Sequence, residues 1–435
     1  MLVTAVVLLW TRFEYSEVRG WSPMKVTTWD ALAYYGYLPS VFIYHDIERM
    51  DWIEPIDSAY QVVGTGGLYQ MLPAENGNRV DKVMIGVAAM ELPFFFLGHI
   101  AARALNFPQD GFSLPYQWAI TFSPLVYCIL ALFLLRRVLL RWFSDRTVSL
   151  VLLLSILATN AIQYISVDNA QTHGFLFALY VLVIWATVKW HEEPKPKWAA
   201  LIGATIALAT CTRPTELIML FIPLLWNTQT KELAKEKWAL VRAHRSQFIW
   251  MLIAAFVIGF PQLLYWKIAT GSWVYELGSK WDFLNPHFRV LFGWEKGWFI
   301  YTPITVFFVA GLFFLRDRPW AKSVLVFSLL NIWLIIAWHD WRYGGSYSTR
   351  ALVQSYPAWA LAFGALIERV LATRWKYLFL TACAYLLFVN LFQITQYNNQ
   401  VILYDGMTRE YYQAIYLDAH PDAGERLLLE PDQKP

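Results

Sequence analysis

The chain is a succession of long apolar runs separated by short polar segments. Several runs hold at least the 18 apolar-dominated residues that a helix needs to span a bilayer. All the apolar runs together lie at about 1–10, 115–135, 147–165, 173–190, 198–212, 214–226, 248–268, 298–315, 321–338, 351–368 and 377–396. The pattern predicts an all-α polytopic membrane protein with about 11 transmembrane helices. The first run is about half the length of a span, which suggests a truncated or misassigned start.

The polar connectors are of two kinds, and the two kinds alternate along the chain. One kind is aromatic and mixed in charge, at 166–172, 269–297 and 339–350. The other kind is short and basic, and it contains Arg136, Arg137, Arg141, Arg146, Lys189, Lys195, Lys197, Lys231, Lys235, Lys237, Arg242, Arg245, Arg316, Arg318, Lys322, Arg369, Arg374 and Lys376. Because basic loops stay in the cytoplasm, the aromatic loops are expected on the external or periplasmic face of the plasma (inner) membrane.

The segment 83–105 resembles a further span but would reverse this alternation. It carries Glu91, His99 and Arg103 on one side of a helix and a proline, Pro93, in its middle. We therefore expect it to lie in, or re-enter, the outer leaflet. The alternative is a true span with a different topology of the first helix.

Three segments follow from this arrangement. A membrane domain covers 1–396, and within it 11–114 form a large first external loop with amphipathic interface helices. Residues 397–435 form a polar external tail.

Composition supports the membrane assignment. Charged residues make up 15% of the chain and hydrophobic residues 57%, whereas soluble domains carry about 25% charged residues. Cys128, Cys211 and Cys383 each lie inside an apolar run, which indicates buried thiols and no disulfide framework. The sequence contains no phosphate-binding loop, dinucleotide fingerprint or HExxH motif, and nothing in it points to nucleic acid.

Asp30, in TTWDALAYYGYLPS, is the first candidate for chemistry. It precedes an aromatic, amphipathic stretch that suits the membrane interface. A carboxylate held against aromatic side chains is expected to serve as a base, because burial raises its affinity for a proton. The alternative is a structural helix cap, a role that fits both Thr28 and Asp30.

Cations on the external side form the second group, namely Lys82, Arg213, Lys296, Arg342 and Arg350. Charges at membrane depth usually face a cavity or a partner, so anion binding is one interpretation. For Arg213 the alternative is an ion pair three residues along, with Glu216, and for Lys296 it is a side chain that reaches toward water. The loop WHDWRYGGSYSTR adds His339 beside Arg342 and is dense in functional side chains.

The short loop YISVDNAQTHGF supplies the third group. Asp168 and His173 stand at the outer ends of two helices and could orient a substrate or share a metal ion. A histidine satisfied within the loop is the alternative.

The layout and these motifs resemble the GT-C fold, the polytopic glycosyltransferases that use polyprenyl-phosphate-linked sugars. The family includes the protein O-mannosyltransferase and lipid A aminoarabinose transferase groups, and the resemblance spans nearly the whole chain. It is carried by Asp30 in WDALAYY, by Lys82 before VMIGVAAMELPFFF, and by ELGSKWDFLNPHF, GWEKGWFIYTP and WRYGGSYSTR. The family has an acidic pair where this chain has Asp30 alone, so a divalent metal is possible and its requirement stays open. A C-terminal soluble domain, as in oligosaccharyltransferases, is not expected.

The resemblance implies an inverting transfer of a sugar from a polyprenyl-phosphate donor to a lipid, glycan or protein acceptor, with Asp30 as the base. The candidate substrate-binding residues are then Tyr34, Tyr35, Lys82, Asp168, His173, Arg213, Lys296, His339, Arg342 and Arg350. A membrane transporter and a lipid-linked polysaccharide polymerase or ligase are the alternatives.

Overall fold

The computed structural model describes residues 1–15, 25–64, 67–276, 278–315 and 317–430. Arg316 of the basic connectors, 16–24 of the first loop and 431–435 of the tail lie outside these ranges. The α-helices are α1 (Leu2–Glu14), α2 (Asp30–Phe42), α3 (Ile53–Tyr60), α4 (Gly86–Ala104), α5 (Leu114–Leu139), α6 (Asp145–Leu157), α7 (Thr172–Glu192), α8 (Pro196–Thr210), α9 (Phe221–Leu225), α10 (Lys231–Ala243), α11 (Gln247–Thr270), α12 (Arg289–Phe292), α13 (Trp298–Tyr301), α14 (Thr305–Gly311), α15 (Ala321–Ala337), α16 (Tyr356–Leu371), α17 (Lys376–Asn398), α18 (Arg409–Ala414) and α19 (Ala423–Arg426). The described residues also include a π-helix (Gln163–Val167) and 3-10 helices (Pro214–Leu220, Leu312–Phe314 and Arg350–Ser355), and β1 (Met71–Pro73) pairs antiparallel with β2 (Arg79–Asp81).

Each of the predicted apolar runs is helical in the described structure. The runs 198–212 and 214–226 form separate helical segments, because α8 ends at Thr210 and a 3-10 helix begins at Pro214, a residue that cannot continue a helix. The centre of the bundle consists of α7 and α16, and residues 356–367 of α16 are all buried. An apolar helix with no polar face belongs in a core or in lipid.

Five helices in the described residues are long and apolar enough to cross a membrane: α4, α5, α7, α11 and α17. The outer surface of the bundle is also apolar. On α11, Leu252, Phe256 and Val257 are each more than 60% exposed, which suits contact with lipid. These features belong to a multi-pass membrane protein. The total of about 11 crossings stays a prediction.

The basic connectors gather at one end of the bundle, which we call the basic end. Arg141 pairs with Glu192 at 2.8 Å and Arg318 with Glu368 at 3.0 Å, and each pair joins two different connectors. The aromatic loops gather at the other end. We call that the loop end, formed by 25–113, 271–297 and 338–349.

The first loop packs against the helical bundle through contacts with α8 and α5. Gly86, at the start of α4, donates its N–H to the Cys211 carbonyl at 2.7 Å. From there α4 runs antiparallel to the first half of α5, with Gly98 against Tyr116 and the Tyr127 hydroxyl on the Met90 carbonyl. α4 therefore extends from the end of α8 toward the start of α5. Whether it crosses the bilayer or lies in the outer leaflet stays a prediction.

The described part of the tail contacts the loop end through Tyr412, whose ring centre lies 5.7 Å from that of Trp294. Tyr411 of α18 is fully buried and donates its hydroxyl to the Val401 carbonyl at 3.0 Å. Glu430 donates its N–H to the Gly406 carbonyl at 3.1 Å. Although this segment is polar in composition, it has a small buried core that includes Tyr411 and Tyr412.

Candidate active site

A cavity of about 700 Å³ opens at the loop end, where the first loop, the later loops and the tail meet. Its walls come from Arg12, 25–26, 28–31, Tyr69, 167–171, Gly344, Gly345, Arg350, Tyr397, Gln400 and Tyr404. Three residues singled out from the sequence, Asp30, Asp168 and Arg350, thus line one cavity.

Asp30 is the first residue of α2, and its carboxylate faces this cavity. The residue before it, Trp29, occupies the cap position with a φ of 56°, and the helix start has no side-chain cap. Asp30 Oδ1 accepts a hydrogen bond from the Tyr69 hydroxyl at 2.9 Å. The capping alternative therefore does not describe Asp30, whose side chain is left to other partners. Thr28 does not cap either, since its hydroxyl donates to the Lys25 carbonyl.

Two cations flank the Asp30 carboxylate. Lys82 Nζ lies 3.9 Å from Oδ1, and Arg350 Nη2 lies 3.8 Å from Oδ2. The Asp30 side chain is 37% exposed, so the burial against aromatic residues expected from the sequence is not what the structure has. The carboxylate instead stands at a partly open wall between opposite charges.

Arg350 begins the 3-10 helix that leads into α16, and its side chain is only 12% exposed. Its Nη1 donates to Gln171 Oε1 at 2.8 Å. The guanidinium is therefore oriented by the protein before any ligand arrives. A planar fork of N–H donors held in this way matches the oxygens of a phosphate group.

Lys82 follows β2, and the antiparallel hairpin places it beside the Asp30 carboxylate. Its ammonium lies 4.0 Å from the centre of the Tyr69 ring, an arrangement that favours a cation over an aromatic face. Burial lowers the pKa of Lys82, and the Asp30 carboxylate opposes that change.

Tyr34 and Tyr35 differ in position although they are adjacent. The Tyr34 phenol lies among Arg213, Asp30 and Arg350, one turn after Asp30. Tyr35 is buried against Phe95 and donates its hydroxyl to the Gly111 carbonyl. Successive helical residues point about 100° apart, so the two side chains serve different surroundings. Tyr35 belongs to the packing of the first loop.

Arg213 interacts with Tyr34, which in turn lies near Asp30. The alternative ion pair with Glu216 does not form, because Glu216 accepts hydrogen bonds from Tyr180 at 2.5 Å and Gln354 at 3.1 Å. Arg213 therefore lies near the cavity without forming part of its wall.

Asp168 and His173 are not brought together. Asp168 lines the cavity and accepts a hydrogen bond from Gln163 at 3.1 Å. His173 is fully buried and bonds Gln354 through Nδ1 at 3.0 Å. This contact agrees with the structural alternative for His173.

Lys296, Arg342 and His339 lie at the loop end outside the cavity wall. Lys296 Nζ donates to the Gly344 carbonyl at 2.6 Å, so it supports a loop that lines the cavity. Arg342 pairs with Glu295 at 2.8 Å. His339 contacts Asp282, a residue that the sequence analysis did not select.

The donors around Asp30 do not suit a divalent cation. Its two oxygens face Lys82, Tyr69 and Arg350, and Mg²⁺ or Mn²⁺ would need further oxygen ligands in their place. Asp168 is the other carboxylate in the described cavity wall. We therefore derive no metal-dependent step at Asp30.

Several wall residues were missed by the sequence analysis. Arg12 donates to the Val167 carbonyl at 2.9 Å and is 3% exposed, and a buried arginine at the end of an apolar run is a signal that could have been noted. Tyr69, Gln171 and Tyr404 carried no comparable signal, since polar residues in loops are common.

Comparison with known proteins identifies the fold. No protein-family model and no curated sequence matches the chain. The apo oligosaccharyltransferase of Archaeoglobus fulgidus is similar at 12% identity and a TM-score of 0.52, over 100% of this chain and 60% of that one. The same organism's oligosaccharyltransferase AglB, in complex with an inhibitory peptide and a dolichol-phosphate, gives 12% and 0.52 over 100% and 59%.

The chain has the GT-C fold. Apo ArnT from Cupriavidus metallidurans is also similar, at 15% identity and a TM-score of 0.46, over 75% of this chain and 57% of that one. The chain spans about three-fifths of the length of these solved structures. In this GT-C chain the cavity lies where the first loop meets the loops that precede α7 and α16.

Proposed function

We propose that this GT-C chain is a glycosyltransferase that moves a sugar from a polyprenyl-phosphate donor to an acceptor hydroxyl or amine. The observation that carries the proposal is the cavity in which the Asp30 carboxylate stands between Lys82 and Arg350. A carboxylate and fixed cations at one wall match a reaction that releases a proton on one side and a phosphate on the other. The fold is shared with a protein whose structure holds a dolichol-phosphate.

In the proposed reaction the acceptor oxygen or nitrogen attacks the anomeric carbon of the sugar. The bond from that carbon to the phosphate oxygen breaks, and the electron pair leaves with the polyprenyl phosphate. The acceptor proton passes to Asp30, and a single displacement of this kind inverts the anomeric centre. The lipid tail lies along the apolar helices in the outer leaflet.

Arg350 has the stabilising role in this reaction. Negative charge grows on the departing phosphate, and catalysis is greatest where donors are fixed in advance around that charge. Gln171 holds the guanidinium in place, so little reorganisation is needed. Lys82 adds a second charge at 3.9 Å from Asp30, and Arg213 contributes from behind Tyr34.

The test is sugar transfer by the full chain in detergent, with radiolabelled polyprenyl-phosphate hexoses and pentoses and with membrane lipid, glycan and protein fractions as acceptors. Asp30→Asn keeps the shape of the side chain, and we expect it to lower kcat by roughly 10²- to 10⁴-fold. Asp145→Asn, at the basic end, is the matched control and should keep full activity.

Near-full activity of Asp30→Asn would move the base to Asp168, which lines the same cavity. Asp46, another aspartate of the first loop, already accepts hydrogen bonds from the N–H groups of Arg49 and Asp51. Transport of intact lipid-linked sugar without transfer would favour the transporter alternative.

A further inference from the structure

A second group of chemically capable side chains lies at the loop end, apart from the Asp30 cavity. His287 Nε2 and His339 Nδ1 both contact Asp282 Oδ2, at 2.8 and 2.9 Å. The three possible ligand atoms lie within 4.8 Å of one another. The residues come from two loops, 271–297 and 338–349, which are far apart in sequence.

The backbone fixes the relative positions of these loops. Asp282 donates its N–H to the Ala337 carbonyl at 2.6 Å, and His287 donates to the Ile336 carbonyl at 2.7 Å. His339 in turn donates its N–H to the Lys280 carbonyl at 3.1 Å. Each of the three side chains is thus anchored at its own main chain, which lowers the entropy lost when a ligand orders them.

We propose that Asp282, His287 and His339 bind a divalent transition-metal ion, with Zn²⁺ as the best match. Two imidazoles and one carboxylate are the ligands that zinc takes, whereas Mg²⁺ and Ca²⁺ prefer oxygen ligands alone. The site is open to solvent at His339, whose side chain is 61% exposed. Water can therefore complete a tetrahedral shell.

The present distances are compatible with such a site after a small movement. With metal–ligand bonds of about 2.1 Å in a tetrahedral shell, neighbouring ligand atoms are about 3.4 Å apart. The two nitrogen–oxygen contacts would thus lengthen by about half an ångström. His339 is the more exposed of the two histidines, at 61% against 19% for His287, so its ring has the greater freedom to turn toward the ion.

The metal would join the loop that contains His287 to the loop that contains His339. The second loop also carries Gly344 and Gly345, which form part of the cavity wall. The ion would thus brace that wall from outside. The proposal concerns binding and holds whether or not the chain transfers a sugar.

The experiment is calorimetric titration of ZnSO₄ into untagged, chelator-treated full-length protein in detergent at pH 7.5, with MgSO₄ in parallel. We expect one tight equivalent of zinc and no comparable magnesium binding. His339→Ala and Asp282→Asn should each weaken zinc binding at least about 100-fold, beyond the effect of losing an outer-shell contact. His420→Ala, at an exposed histidine in the tail, is the matched control and should bind as the unaltered chain does.

X-ray absorption at the zinc edge should show two imidazole ligands in the unaltered chain and one fewer in His339→Ala. Zinc binding that persists unchanged in both variants would mean adventitious surface sites and would overturn the proposal. If the unaltered chain binds no tight equivalent of zinc, the proposal is also overturned. The cluster would then be a hydrogen-bonded contact between the two loops.

Discussion

Replacement of Arg350 by methionine tests the anion-binding half of the proposed site. Methionine keeps much of the side-chain volume but removes the charge and the N–H donors. A hydrogen bond to a charged group contributes about 1.5–3 kcal/mol, and about 1.4 kcal/mol corresponds to a tenfold change in affinity. We therefore expect polyprenyl phosphate to bind roughly 10- to 150-fold more weakly to Arg350→Met. Arg350→Lys should fall between, since an ammonium keeps the charge but not the planar fork.

The assay is calorimetric binding of a short-chain polyprenyl monophosphate to the detergent-purified protein. Arg342→Met is the matched control, because Arg342 is paired with Glu295 outside the cavity wall. Asp30→Asn should bind the lipid phosphate at least as tightly as the unaltered chain, since it removes a negative charge 3.8 Å from Arg350. Equal losses in Arg350→Met and Arg342→Met, or no loss in either, would refute a specific role for Arg350.

Two further predictions concern stability. A Cβ on Gly86 would lie 2.2 Å from Thr212 Oγ1 and 2.5 Å from the Thr212 backbone nitrogen, so Gly86→Ala should cost about 1–3 kcal/mol of stability and lower the unfolding temperature. Gly259→Ala is the control and should not lower it, because a Cβ there meets open space. Equal melting temperatures of the two variants would contradict this prediction. Burial lowers the pKa of Lys296 to about 8, below its value of about 10.4 in an unfolded chain. Between these pH values the unfolded state binds the extra proton, so stability should rise with pH by up to about 1.4 kcal/mol per unit. Denaturation of Lys296→Met should lack that increment between pH 8 and 10, and identical slopes in the two proteins would contradict the assignment.

The helices were predictable because they depend on local properties. Apolar runs of spanning length must satisfy their own backbone groups, and helices do this. The break at Pro214 follows from one residue type. The GT-C resemblance rested on the layout of the whole chain and on the motifs at Asp30, at Lys82 and in the later external segments. The number of membrane crossings could not be predicted in the same way, since α4 is apolar enough to span a membrane and yet packs beside the first half of α5.

The membership of the cavity was only partly predictable. Asp30 and Arg350 were both selected, and their contact depends on the packing of helices far apart in sequence. The sequence could not tell which external cation has its own partner. Arg342 is held by Glu295 and Lys296 by loop carbonyls, while Arg350 is held by Gln171 and lines the cavity.

Helix geometry could have separated Tyr34 from Tyr35 in advance. Adjacent positions on one helix point in different directions, so only one of the two could face the same side as Asp30. By contrast, the cluster of Asp282 with two histidines depends on the pairing of two loops. Loops have no periodic pattern that predicts such pairing, because their backbone partners are set by tertiary contacts.

The walls of the cavity have a consequence for how the protein is made. Arg12 of α1 and Tyr404 beyond α17 face the same space, so the compartment is completed only after the ribosome has delivered α17 and the segment that follows it. During biosynthesis Asp30 and Arg12 are therefore made well before the cavity that they line is closed. A nascent chain arrested before α17 would hold its helices in the bilayer and still have no enclosed chamber for a reactant.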